Sequence, residues 1–150
     1  MTFFSADGLS DGEIRLRLTS AAEAIPEKKR LPVYYFEIET AAGERAGRCE
    51  LRIGQNEKTR IGGNIAYTVF PPFRGRHYAA KACRLLFPLA RRHGMTSLRI
   101  TCAPENAASA RTCEAAGGIC LGTENVRKGD EAYAAGKRQV KVYLFDLSKL

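Results

Sequence analysis

The sequence predicts an α+β domain built on a single mixed, mostly antiparallel sheet of about six to seven strands flanked by helices. Three observations carry that expectation. Four alternating or β-branched segments joined by short polar turns precede Pro71. Two helix-length segments, separated by one apolar strand-like run, follow it. A last pair of strand-like segments closes the chain. Strands first, then helix, strand, helix and two strands make one α+β layer pair rather than a chain of βαβ units.

Each element has its own justification. Glu13 to Leu18 alternates charged and apolar residues, as a strand with one wet face does. Ser20 to Arg30 contains Ala, Glu and Pro26, and supports at most a short helix or an irregular connection. Val33 to Glu39 is a second strand and Ala41 to Glu44 a turn. Arg45 to Gly54 is a third, with Cys49, Leu51 and Ile53 on one face and Arg48, Glu50 and Arg52 on the other. Short turns make this meander antiparallel. Gln55 to Arg60 reads as a polar loop before a fourth strand, Ile61 to Phe70. The run Gly62-Gly63-Asn64 at its start signals a bulge or a close backbone approach.

A helix is expected from about Gly75 to His93, stopped by Gly94, with Ala79, Cys83, Leu86 and Ala90 on its buried face and a kink at Pro88. Ser97 to Ala103 reads as a buried strand. Asn106 caps a second helix that ends at Gly117-Gly118. Ile119 to Asn125 and Gln139 to Leu147 form the final strand pair. The polar loop between them, Arg127 to Lys137, is long enough to be a lid.

At 150 residues, 45% apolar and 27% charged, the chain is expected to be one soluble globular domain, residues 1–150. No apolar run approaches the ~20 residues that span a bilayer. The first residues lack the basic and apolar regions of a signal peptide, so a cytoplasmic location is expected. Five cysteines without a CxxC pair fit reduced thiols and small core residues, and no metal site is expected. The net charge of +8 would steer an anionic ligand or nucleic acid. The basic residues are scattered and no basic-aromatic platform exists, so a solvated basic surface is favoured over a nucleic-acid interface.

The chemistry concentrates in Val69-Phe-Pro-Pro-Phe-Arg-Gly-Arg-His-Tyr-Ala-Ala80. A strand end, a proline turn and a basic Gly-containing loop run directly into a helix. Such a loop presents backbone N–H groups and the positive end of a helix dipole to a phosphate. Arg74 and Arg76 add mobile positive charge.

This loop resembles the pyrophosphate signature of the GCN5-related N-acetyltransferases (the GNAT superfamily), Q/R-x-x-G-x-G/A. The six positions are Arg74, Gly75, Arg76, His77, Tyr78 and Ala79, with His77 where the middle glycine belongs. Asn106, Ser109 and Gly117 repeat the family's downstream spacing, and Asn-x-x-Ser is closest to the ribosomal-protein-acetylating branch. The resemblance extends from Ile61 to Gly118. It implies that the fourth and fifth strands splay apart and that the pantetheine arm of acetyl-CoA threads between them. It also implies that the loop Arg74 to Ala79 holds the diphosphate, that Tyr67, Thr68 and Val69 line the pantetheine, and that Asn106 and Ser109 flank it. The Val69 N–H would then face the thioester oxygen.

An N-acetyltransferase acting on a primary amine by direct attack in a ternary complex is the function this implies. The acceptor is a small molecule or a protein, no membrane partner is expected, and a homodimer is compatible with the sequence. Acetyl transfer also needs a base for the amine and an acid for the thiolate. The fourth strand has no acid; Glu37, Glu39 and Glu50 remain as alternatives acting through water, or as solvated sheet-face carboxylates. Several family members carry a tyrosine seven residues after the Asn as proton donor, and that position is Cys113 here. Its thiol is either a proton donor or packing. His77 either faces phosphate or points to solvent, Tyr78 packs under the loop, and Tyr133 closes over an acceptor or anchors its loop. The family usually has two helices between its first two strands and this chain has room for barely one, which would open the acceptor pocket. Two rival functions are a non-catalytic acyl-CoA sensor and a basic nucleic-acid-associated protein.

Overall fold

The computed structural model describes residues 2–150. Four strands form an antiparallel meander in the order β1 (Ile14–Ala22), β2 (Val33–Thr40), β3 (Arg45–Arg52) and β4 (Ile65–Val69). A second ladder has the order β5 (Ser97–Cys102), β7 (Gln139–Asp146), β6 (Ile119–Asn125), again with antiparallel neighbours. The sheet expected as one is therefore hydrogen-bonded as two, four and three strands wide. Their backbones are joined at Asn64, whose N–H donates to the Arg99 carbonyl at 2.7 Å.

The helices are α1 (Glu57–Gly62), α2 (Tyr78–Arg92), α3 (Ala107–Ala115) and α4 (Glu131–Ala134). The segment read as a polar loop, Gln55 to Arg60, is largely α1. Asn56 and Thr59 cap it reciprocally, the Asn56 side chain accepting from the Thr59 N–H and Thr59 Oγ1 accepting from the Asn56 N–H. The fourth strand is correspondingly shorter than the sequence suggested, because Ile61 and Gly62 complete the helix. β1 runs on to Ala22 past a bulge between Leu18 and Ser20, leaving only a 3-10 turn, Pro26–Lys28, before β2. This single turn agrees with the short helix or irregular connection that Ser20 to Arg30 allows.

Alternation decides where the core sits. Tyr34, Phe36 and Ile38 of β2, Cys49 and Leu51 of β3 and Ile65 of β4 are buried on one face. Cys83, Leu86, Leu89 and Ala90 of α2 cover them, and Leu98, Ile100, Tyr143 and Phe145 of the second ladder extend the same cluster. The opposite face of the four-stranded meander carries charge. Register aligns it in rows, Arg17–Glu37–Arg48–Thr68 and Ser20–Tyr35–Glu50–Ala66. Among the described residues no helix is long and apolar enough to cross a membrane.

Candidate active site

β4 and β5 are stitched at one end. Asn64 is fully buried, and its side chain makes four bonds: Oδ1 accepts from the Arg99 N–H (3.0 Å) and Gln55 Nε2 (3.2 Å), while Nδ2 donates to the carbonyls of Arg52 (3.1 Å) and Gly54 (2.7 Å). Gly63 fits because it has no Cβ; an added one would lie 3.0 Å from the Arg99 oxygen and 3.1 Å from the Thr101 nitrogen. This is the close approach that the Gly-Gly-Asn run foreshadows.

Past Asn64 the two strands share no ladder. The Phe70 N–H donates to the Ala46 carbonyl at 2.8 Å, and Thr68 stands opposite Arg48. Antiparallel alternation then turns the backbone groups of Thr68 toward β3 and those of Tyr67 and Val69 toward the split. Gly47 lets β3 sit close enough to hold this edge, since an added Cβ would collide with the Thr68 carbonyl and lie 3.0 Å from the Val69 Cα.

The Tyr67 side chain crosses from β4 to α3, where its hydroxyl lies 2.6 Å from Ser109 Oγ. Burial pushes the phenol's pKa up, against the hydrogen bond to Ser109 that pulls it down. Asn106 is used as the helix cap, its Oδ1 accepting the Ser109 N–H at 3.1 Å. Cys113 is fully buried behind this pair, and burial pushes its thiol up to about 12. The structure thus brings Tyr67, Ser109 and Cys113 together, with the phenol hydrogen-bonded at the split and the thiol enclosed behind it.

The loop beyond Val69 begins with a 3-10 turn, Pro71–Phe73. Arg74 Nε donates to the Val69 carbonyl at 3.0 Å, tying the loop to the strand. Gly75 has φ +86° with open space on its Cβ side, and the Arg76 guanidinium lies 5.9 Å from the Phe73 ring centre. His77, in the glycine position, adopts left-handed backbone angles, φ 62° and ψ 22°. A non-glycine residue holds that conformation at a cost of about 1 kcal/mol. No side chain caps α2, and the Lys81 N–H to His77 carbonyl bond (3.1 Å) opens its ladder. The N–H groups of Tyr78, Ala79 and Ala80 precede that bond in the first helical turn. The Tyr78 side chain is buried in the core cluster, so only its backbone is available to a ligand.

On the charged face a cleft of about 390 Å³ borders β4, with Tyr35, Glu37, Arg48, Glu50 and Thr68 in its lining. The three candidate carboxylates all share this face and differ in freedom. Glu39 is clamped by Arg15 (2.8 Å) and Arg17 (2.9 Å), whose hydrogen bonds hold its carboxyl below the usual range. Glu37 is paired with Arg45 at 2.9 Å, and Glu50 with Arg52 at 3.4 Å. Glu50, opposite Ala66, is the carboxylate nearest β4 by register.

The loop expected as a lid is fastened to α1. Lys58 pairs with Glu131 (2.9 Å), and Arg60 pairs with Glu124 and with Asp130 (3.5 Å). Tyr133 packs on Ile61, Val126 and Val140, with Arg138 stacked 3.6 Å from its ring centre. It anchors its own loop.

Sequence reasoning missed Arg74 as a strand tie, Gly47 as the spacer behind the edge, and the reach of Tyr67 to Ser109. For Gly47 a signal was present: a glycine inside a strand marks a close backbone approach.

A profile of the acetyltransferase (GNAT) domain matches residues 1–119. A search of curated proteins finds no match. Among solved structures, spermidine/spermine N-acetyltransferase SpeG from Vibrio cholerae superposes with TM-score 0.62 at 15% identity, covering 91% of this chain and 94% of that one. RimL, a ribosomal L7/L12 α-N-protein acetyltransferase solved with coenzyme A, gives 0.58 at 20% identity, covering 77% and 63%. The microcin C7 self-immunity acetyltransferase MccE, solved with acetyl-CoA and AMP, gives 0.57 at 16%, covering 76% and 61%. The chain thus spans under two thirds of the length of MccE and of that RimL structure. The profile match covers most of the sequence and coincides with the split between β4 and β5 and the loop that follows it: the chain belongs to the GNAT acetyltransferase family.

Proposed function

We propose that the chain transfers the acetyl group of acetyl-CoA to a primary amine by direct attack in a ternary complex. The observation that carries this reading is the edge of β4 at Tyr67 and Val69 that pairs with no strand, followed by the loop that leads to the uncapped start of α2. Family membership and neighbours solved with acetyl-CoA or coenzyme A support the choice of co-substrate. When bound, acetyl-CoA supplies an acetyl group activated as a thioester. Gly75 to Ala79 would meet its diphosphate with backbone N–H groups, and Arg74 and Arg76 with charge. The backbone of Tyr67 to Val69 would hold the pantetheine, and the Val69 N–H would stabilise negative charge on the thioester oxygen. Asn106 acts indirectly, by fixing the start of α3 and with it Ser109.

Glu50 is our choice of proton acceptor for the amine, directly or through one water, because its register places it one strand from the edge. The Tyr67 hydroxyl, held by Ser109, rather than the enclosed Cys113 thiol, stands at the split where the departing sulfur needs a proton. The acceptors named for the neighbours, a ribosomal protein and spermidine, both present primary amines.

A calorimetric titration with acetyl-CoA and with free CoA tests the pocket, and an amine screen that follows thiol release tests turnover. Micromolar binding lost in Arg74→Ala is expected, together with transfer that falls at least tenfold in Glu50→Gln. Binding without turnover for any amine would instead establish the acyl-CoA sensor, a reading favoured by the absence of acid on β4.

A further inference from the structure

The cleft on the charged face contains one carboxylate that is only half used and one arginine without a protein partner among the described residues. Glu37 is mostly enclosed, with 17% of its side chain exposed, and Arg45 takes only Oε1. Its Oε2 is buried with no hydrogen-bond partner. A carboxylate oxygen kept in that state calls for a missing donor. Directly opposite on β3 stands Arg48, exposed, whose guanidinium makes no hydrogen bond or ion pair among the described residues. A buried acceptor without a donor and a solvent-exposed guanidinium without a protein partner thus stand opposite each other on neighbouring strands, about 5 Å apart at the backbone. The other two acids on this face, Glu39 and Glu50, are each paired with arginine.

We propose that this pair binds a zwitterionic head group and that the acceptor is a diamino acid acetylated on its side-chain amine. The inference rests on the acetyltransferase reading and adds the substrate class to it. The α-ammonium would donate to Glu37 Oε2 and the α-carboxylate would take the Arg48 fork, which binds carboxylates bidentately. The distance fits. Glu37, Arg48 and Thr68 form one row, so Glu37 lies two strand spacings, about 10 Å, from β4. A chain of three or four methylenes separates its two nitrogens by about 6–7 Å, and hydrogen bonds of about 3 Å complete the span. The side-chain amine then passes over Thr68 to the edge that carries the Val69 N–H, beside Glu50. There its nitrogen bonds the acyl carbon as the carbon–sulfur bond breaks. The amine's proton leaves to Glu50 or water, and the sulfur departs as thiolate, to be protonated at the split.

The test compares L-ornithine and L-lysine with putrescine and cadaverine, the same chains without the carboxylate, as acceptors for the full chain with acetyl-CoA. The expected result is a kcat/KM at least tenfold higher for the diamino acids, with the acetyl group on the side-chain nitrogen by NMR. Arg48→Gln should erase that preference by raising KM for the diamino acids while leaving the diamines unchanged. Equal use of acids and diamines, or an α-N-acetyl product, overturns the proposal while leaving the acetyltransferase reading intact. Calorimetric titration of L-ornithine into the coenzyme-free protein tests the cleft separately. Heat that disappears in Arg48→Gln and in Glu37→Gln supports the head-group site even if acetyl-CoA is not bound. No heat, with no preference in turnover, removes it.

Discussion

The two ends of β4 are built on opposite rules. At Gly63 and Asn64 every polar group is spent: the backbone bonds to β5, the Asn64 amide makes four hydrogen bonds, and the glycine lets the chains touch. At Tyr67 to Val69 the same strand has β3 on one side and no strand on the other. The lesson concerns how a sheet keeps an unpaired edge without fraying. One end is fixed on both sides while the other has no strand on its outer side, and a single buried amide sets the point of divergence.

Breaking the closed end should have the largest effect. Asn64→Ala strands the Arg99 N–H and two carbonyls in the interior, and should cost on the order of 3 kcal/mol or more in urea unfolding. A loss below about 1 kcal/mol would mean that the split is not pinned there. Breaking the open end from behind comes next. Gly47→Ala pushes on Thr68 and Val69, and should cost about 1–3 kcal/mol while weakening acetyl-CoA binding in calorimetry. Destabilisation with unchanged affinity would show that the edge tolerates displacement.

Behind the open end lie Cys49 and Cys113, whose buried thiols are both pushed up to about 12 from an ordinary 9.0. Both folded-state values lie above the unfolded one. Their contribution is therefore complete below pH 9 and is lost as pH rises toward 12, by about 1 kcal/mol per thiol at pH 10. Chemical denaturation across pH 8–11 reads this slope, to which the buried thiols of Cys83 and Cys102, also pushed up by burial, contribute as well; Cys113→Ala should remove one thiol's share of it without reducing acetyl transfer. A flat profile would place the thiols in contact with water. The smallest effect belongs to the loop. His77→Gly removes left-handed strain of about 1 kcal/mol and should hold or tighten coenzyme affinity by a few-fold at most. Weaker binding would reveal an imidazole–phosphate contact.

Much of this arrangement was legible in the sequence because it depends on local signals. Alternation marked the faces of β2 and β3, the Gly-Gly-Asn run marked the close approach to β5, and Asn106 marked the start of α3. Arg74, Gly75 and the residues after them marked the loop and the helix that follows it. What escaped was long-range. Nothing near Tyr67 in the chain says that its hydroxyl will meet Ser109, and nothing near Glu37 says that Arg45 will occupy only one of its oxygens. Those facts need the register between strands. α1 escaped for another reason: its polar composition looks like a loop, and only the reciprocal cap of Asn56 and Thr59 betrays a helix that short.

The uncovered face of the meander has a consequence for how such a chain diversifies. With only a 3-10 turn between β1 and β2, the rows through Glu37 and Glu50 lie outside the packed core. Substitutions at the exposed positions of these rows that have no side-chain partner among the described residues, Arg48 and Thr68, usually shift stability by less than about 0.5 kcal/mol. The core face, with Tyr34, Phe36 and Leu51 fully packed, has no such latitude. The exposed positions of the charged face can therefore change at little cost in stability, while the packed face that holds the meander on α2 cannot.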